Sequence, residues 1–246
     1  MGEDTIIQFK NVSKAYGERF ILRDFNLKIH RGEFITVIGS SGSGKTTMLK
    51  MINGLLTPTS GSVYVEGKDI SRENQTLLRR NIGYVIQGIG LFPHMTVWKN
   101  IAYVPSLLNR YDKERTRQAA DHLIRVVGLE PEMLERYPSE LSGGQRQRVG
   151  IARALAANPE ILLMDEPFGA VDEITRKLLQ AEITRIHHEL GITIVFITHD
   201  VREALTLGSR VLIMKDGNIE QDASPEKIRQ APQTEFVKQL INWSLI

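Results

Sequence analysis

The chain has 246 residues, 41% hydrophobic and 24% charged, with Lys+Arg 31 against Asp+Glu 29 and a formal net charge of +2. This is a globular composition, neither disordered nor fibrous, and its dispersed, nearly balanced charge carries no electrostatic footprint of a nucleic-acid binder. The absence of cysteine excludes a disulfide framework, a zinc–thiolate site and a thiol nucleophile, and the longest apolar runs, ILLM at 161–164 and IVFI at 194–197 among them, fall far short of the roughly 20 residues of a membrane span.

Residues 5–12 alternate apolar and polar and predict an edge or half-buried strand. The N-terminus, MGEDTIIQFK, has neither the basic start nor the apolar stretch of a secretory signal, which predicts a protein kept on the cytoplasmic side. A second strand follows over 21–29, then the Arg31-Gly32 turn. FITVIG at 34–39 is almost continuously apolar and ends in glycine, the pattern of a buried parallel strand. A helix is predicted from Gly44 to about Asn53, a strand pair over 61–70 turning at Glu66-Gly67, and a short strand over 82–86.

From about Thr96 to Ala157 the periodicity is helical, with breaks at Pro131, Pro138 and Gly143-Gly144. Strands resume over 161–165, 192–198 and 210–215, separated by helices near 173–190 and 200–206, which makes βαβ units. Asp216-Gly217 predicts a hairpin, and Ser224-Pro225-Glu226 the start of a short C-terminal helix. The expected architecture is one α/β domain over 1–241, with a core from about 1–87 and 158–241. A β-rich part flanks it, a helical insertion occupies about 88–157, and a tail covers 242–246.

GSSGSGKTT at 39–47 fits G-x-x-x-x-G-K-[ST] between a strand and a helix. In that frame Gly39, Ser40, Ser41, Gly42, Ser43 and Gly44 turn backbone N–H groups around phosphate oxygens. Lys45 brings a point charge to the β and γ phosphates, Thr46 offers a hydroxyl to Mg2+, and Thr47 continues the helix start. ILLMDEP at 161–167 is an apolar strand ending in two carboxylates. Asp165 is placed to hold Mg2+, and Glu166 is a candidate general base for attack of water on a γ-phosphate. LSGGQRQRVGIARAL at 141–155 adds a second anion grip, with Ser142 as helix cap and Gly143, Gly144 and Gln145 after it. One nucleotide has no use for two triphosphate grips in the same chain, so the second grip is read as serving a partner's nucleotide.

This set, LSGGQ joined by a helix to the acidic strand and preceded by the phosphate loop, resembles the ATP-binding cassette (ABC) ATPases over about residues 5–240. The resemblance implies a P-loop NTPase core with a flanking β-subdomain and an inserted α-helical subdomain. It also implies two subunits, identical or paralogous, closing around two ATP, with Ser142, Gly143 and Gly144 on the partner's γ-phosphate. Tyr16 stands where the family sets an aromatic ring against adenine. Gln87 matches the glutamine that contacts Mg2+ and the attacking water, His199 in FITHD the histidine that holds the γ-phosphate, and Asp172 in FGAVD the aspartate that crosses to the other subunit. Gly169 and Val171 depart from the commoner form of that last motif. The other histidines, His30, His94, His122, His187 and His188, read as surface or structural, with His94 a candidate for the membrane interface.

A single cassette with no fused membrane domain is similar to bacterial importer subunits. There GIGLFPHMTVWKNI, after Gln87, docks the membrane subunit, and Leu91, Phe92 and Pro93 are expected to form an exposed apolar patch until docked. IGLFPHMTV with FGAVD and Thr175-Arg176 most resembles cassettes serving quaternary amines such as glycine betaine, carnitine and choline, the alternatives being an importer cassette for another small solute such as an amino acid or polyamine, or an ABC ATPase outside transport. Such cassettes often carry a C-terminal regulatory module, so a sequence that stops at Ile246 is expected to be a short member of the group or a truncated one. The implied partners are permease subunits and, indirectly, an extracytoplasmic solute-binding protein, at the cytoplasmic face of the membrane.

Overall fold

The computed structural model describes residues 4–88, 90–108, 112–169 and 171–244. Ile89 and Ala170, which belong to the GIGLFPHMTV and FGAVD segments, lie outside the described residues, as do the first three and last two positions of the expected domain and tail. In chain order the elements open with β1 (Thr5–Tyr16), β2 (Arg19–His30), β3 (Phe34–Gly39), α1 (Lys45–Ile52), β4 (Ser60–Val65), β5 (Lys68–Asp69) and α2 (Gln75–Arg80). There follow β6 (Ile82–Val85), α3 (Val97–Leu108), α4 (Lys113–Val126), α5 (Gly143–Leu155), β7 (Ile161–Asp165) and α6 (Glu173–Leu190). The chain closes with β8 (Thr193–Ile197), α7 (Val201–Leu207), β9 (Arg210–Lys215), β10 (Asn218–Ala223), α8 (Pro225–Gln230) and α9 (Glu235–Ser244). No helix among the described residues is long and apolar enough to cross a membrane.

The chain divides into two compact units, Met1–Arg79 with Ile192–Ile246, and Arg80–Gly191. The helical stretch read from the sequence at 88–157 lies within the second, which also takes in β6, β7 and α6. In the first unit β2, β1, β4 and β5 form an antiparallel sheet. In the same unit β3 lies between β8 and β9, parallel to both, and β10 pairs antiparallel to β9. The first five residues of β3 and all five of β8 are buried, as strands covered on both faces must be. Ile38, Val211 and Ile213 of these strands pack with Val201, Ala204 and Leu205 of α7, Ile228 of α8, and Val237 and Ile241 of α9. Each of the Val, Leu and Ile side chains among them contributes about 1.5–3 kcal/mol on full burial.

Two tight turns follow their sequence signals. Glu66 (φ 51) and Gly67 (φ 74) join β4 to β5, and Asp216 (φ 47) and Gly217 (φ 81) join β9 to β10. Left-handed residues at both central positions match the twist of a two-residue hairpin. β1 runs four residues past its expected end at 12, because the pairing continues through register shifts around Asn11, whose φ is 49, and these bulges break the alternation.

In the second unit β6 and β7 pair in parallel, with Ile82 opposite Ile161 and Val85 opposite Met164. α5 lies so close to β6 that a Cβ on Gly83 would sit 2.6 Å from the Ala154 carbonyl oxygen. Asp112 caps α4 by accepting from Arg115 N, and Asp172 caps α6 by accepting from Thr175 N.

The end of β3 is equally tight. A Cβ on Gly39 would lie 1.9 Å from the Met214 carbonyl oxygen on neighbouring β9. Gly39→Ala therefore forces two strands apart and is expected to destabilise the chain by about 1–3 kcal/mol, read as a lower urea midpoint at unchanged slope.

Candidate functional site

The phosphate loop lies wholly in the first unit. Gly39 (φ 151), Gly42 (φ 77) and Gly44 (φ 95) take backbone angles that side chains rarely adopt, and Gly44 is the N-cap of α1. No side chain caps α1 and its first turn holds no acid, so its leading N–H groups and the positive end of its dipole face the loop. Lys45, 9% exposed, folds into the same curve. Its Nζ donates to Gly39 O at 3.0 Å, Ser40 O at 2.8 Å and Ser43 Oγ at 3.3 Å. The loop is thus closed around its own ammonium.

Tyr16 ends β1 with 54% of its surface exposed and the Lys14 ammonium 5.0 Å from its ring centroid. Tyr16 is thus more than half in solvent, with an ammonium beside its ring. His199 lies two residues past the buried end of β8 and is exposed.

In the second unit Asp165 ends β7 and is buried. Burial first, and the charge of Asp165 second, push the Tyr84 phenol on adjacent β6 up to about 12. Glu166 follows with a φ of 46, a left-handed backbone that costs a non-glycine residue about 1–3 kcal/mol and persists where the surroundings enforce it. Gln87 Nε2 donates to Glu166 Oε2 at 3.1 Å. The glutamine and the glutamate are brought together across 79 positions of sequence, and no local signal in the chain announces that bond.

At the start of α5, Ser142 Oγ accepts from Gln145 N at 3.2 Å and Gln145 Oε1 accepts from Ser142 N at 2.9 Å, a reciprocal capping box. The N–H groups of Gly143 and Gly144, at the first two helical positions, have no intrahelical acceptor. Asp172 is exposed and accepts from Thr175 N at 2.9 Å and Thr175 Oγ1 at 2.6 Å. The hydroxyl first and the backbone N–H second hold its carboxyl below the usual carboxylate range. A Cβ on Gly144 would meet Thr175 Cγ2 at 2.4 Å. Thr175 therefore ties the start of α6 to the start of α5, a role the sequence did not disclose.

The segment after Gln87 differs from its expected exposure. Leu91 and Phe92 are half-buried, while Pro93 and His94 are exposed. The Phe92 ring packs 5.0 Å from Tyr103, and Arg153 sits over its face at 5.7 Å. Asn100, fully buried, accepts from Phe92 N at 2.8 Å and donates to the carbonyls of Phe92, Met95 and Thr96. Arg153 of α5 also donates to Gly90 O at 2.8 Å. The apolar residues expected to await a partner are instead partly covered by the unit's own helices.

Among the described residues no three His, Asp or Glu side chains gather into a metal cage. The donors at the predicted positions are the Thr46 hydroxyl, the Gln87 amide and the Asp165 carboxylate. Thr46 belongs to the first unit and Gln87 and Asp165 to the second; hydroxyl, amide and carboxylate oxygens are each of the hard donor type that Mg2+ takes beside a phosphate.

A family model described as ABC transporter matches residues 22–169. The chain is 50% identical over 237 residues to the carnitine transport ATP-binding protein OpuCA of Listeria monocytogenes, covering 96% of this chain and 59% of that protein. It is 48% identical over 239 residues to the glycine betaine uptake system ATP-binding protein YehX of Escherichia coli (strain K12), covering 97% and 77% respectively. A dimeric structure of a post-hydrolysis state of an ATP-binding cassette bound to ADP and Pi superposes with a TM-score of 0.80 at 37% identity, covering 89% of this chain and 98% of that one. The chain spans 59% of the length of the OpuCA relative it matches.

Proposed function

The chain belongs to the ABC transporter family, and on that premise we propose that it is the ATP-binding and ATP-hydrolysing cassette of an importer. Two copies, or one copy and a paralogue, close around two ATP and drive solute uptake through separate permease subunits at the cytoplasmic face of the membrane. The observation that carries this reading is the presence of two unlike anion grips, an uncapped helix start behind Lys45 and a capped one behind Ser142. A single-chain nucleotide enzyme has use for the first only. The dimer bound to ADP and Pi among structural relatives supports the same arrangement. In functional terms residues 1–87 and 158–241 are the nucleotide core and 88–157 the helical subdomain.

In this proposal residues 39–47 bind the triphosphate and Tyr16 stacks on adenine. Thr46, Gln87 and Asp165 would supply oxygen to Mg2+, which would neutralise phosphate charge. A water oxygen bonds to the γ-phosphorus, the bond from that phosphorus to the bridging oxygen breaks, and ADP leaves. Glu166 takes the water proton on its carboxylate. Gln87 orients that carboxylate through the bond to Oε2, and His199 holds the γ-phosphate. Ser142, Gly143, Gly144 and Gln145, with Asp172, complete the partner's site, where the Ser142 hydroxyl still has a proton to donate.

The solute is proposed to be a quaternary amine, supported by the carnitine and glycine betaine relatives. Solute choice rests with other subunits, so that support is by likeness alone. Vesicles holding the chain with permease and binding subunits encoded beside it are expected to hydrolyse ATP faster than the chain alone and to accumulate labelled glycine betaine or carnitine. Uptake of spermidine instead would move the solute to another class. ATP turnover indifferent to the membrane subunits would overturn the importer reading.

A further inference from the structure

Glu203 is 6% exposed, carries a carboxylate, and has no place in the chemistry above. It lies on α7, four residues after His199. Its Oε2 accepts from the hydroxyl of Thr198, itself only 3% exposed. The same Thr198 oxygen accepts from Asp200 N at 3.0 Å. Thr198 and Asp200 flank His199, so one hydroxyl closes the backbone turn that carries the imidazole. Asp200 completes the turn by accepting from Arg202 N at 2.9 Å and Glu203 N at 3.2 Å.

Both arms of this turn are referenced to β3. Thr198 N donates to Val37 O at 3.2 Å. Thr36 Oγ1 donates to Ala204 O at 3.0 Å, next to Glu203 on α7. Thr36 and Val37 are consecutive, and β3 runs from them into the phosphate loop at Gly39. A buried hydroxyl with one proton and free lone pairs can serve both neighbours only if its proton goes to the carboxylate. A buried charged group is otherwise expensive to keep.

We propose that Glu203 is a positioning residue that, through Thr198, fixes the direction in which His199 presents its imidazole, an inference that rests on the ATPase reading above. Thr198→Val keeps the shape and removes the hydroxyl, whereas Thr198→Ser keeps the hydroxyl. Glu203→Leu removes the acceptor. Thr198→Val and Glu203→Leu are expected to lower kcat about 10- to 100-fold with KM for ATP within about twofold, since a misplaced group of about 1 Å costs on that order. Thr198→Ser is expected to turn over like wild type. In a His199→Ala background neither change is expected to reduce the rate further, because the group it positions is gone.

An equal further loss in that background overturns the proposal and leaves a merely structural role. So does full turnover by folded Thr198→Val. Where Glu203→Leu does not fold, the contrast of Thr198→Val with Thr198→Ser decides. If the wild-type chain itself has no turnover, the ATPase reading fails on its own, and the ring signal of His199 decides the inference. That 1H–13C resonance, assigned by its loss in His199→Ala, is expected to move in Thr198→Val and to stay in Thr198→Ser. An unmoved signal in Thr198→Val overturns it.

Discussion

Glu166→Gln is expected to reduce ATP turnover by about 10²–10⁴-fold, the contribution of a general base, while ATP binding survives. The amide has the size of the carboxylate and tolerates the same left-handed backbone no worse, so the turn at φ 46 is retained. Its side-chain oxygen can still accept from Gln87, which in the native chain donates to Glu166 Oε2 at 3.1 Å. What is lost is the capacity to take a proton from water. The phosphate loop, the Tyr16 ring and the start of α5 are unchanged, so ATP is expected to hold two copies together without being consumed. Size exclusion with and without ATP reads the dimer, and phosphate release reads turnover. A variant that turns over at near the native rate removes Glu166 from the role of base.

Much of this machinery was legible because local chemistry dictates it. The run FITVIG has no polar face and so must be covered on both sides, and the glycines after it permit angles that the loop needs. Glu66-Gly67 and Asp216-Gly217 turn as their types require, and Ser142, Asp172 and Ser224 each cap the helix that the sequence placed after them. Hidden features depend on partners distant in sequence. The bond from Gln87 to Glu166, the packing of Phe92 on Tyr103 and the clamp of Asn100 arise from how strands and helices pair, and composition around each residue carries no trace of them. The strain at Glu166 is opaque for a different reason. Nothing about a glutamate predicts a positive φ, which tertiary context imposes. The extension of β1 past Asn11 was masked by bulges, which shift an alternating pattern out of phase without ending the strand.

Ser142→Arg is expected to abolish turnover in a dimer of identical copies, by at least the roughly hundredfold cost of losing one preorganised donor to developing charge. The serine is exposed at the very start of α5, so the longer side chain meets no core. Losing the cap costs the fold about 1 kcal/mol, which the buried face of α5 (Val149, Ile151, Ala152 and Leu155) is well placed to withstand. The variant is thus expected to fold and to bind ATP through its own phosphate loop, as binding of a fluorescent ATP analogue would read. Lys45→Ala is the opposite lesion. It empties the loop of the ammonium now held by Gly39, Ser40 and Ser43, and nucleotide binding itself is expected to weaken. Mixing the two variants separates a grip used in trans from one used in cis. In a mixed dimer one composite site carries both lesions and the other carries neither, since it joins the sound loop of the Ser142→Arg copy to the sound Ser142 of the Lys45→Ala copy. Recovered turnover in the mixture, absent from either variant alone, is the expected result where one intact site can fire. A grip used in cis predicts none, because each copy then spoils its own site. Failure of recovery also follows if the two sites fire only together, so the decisive reading is the pure variant: full turnover by Ser142→Arg removes the shared nucleotide from the scheme altogether.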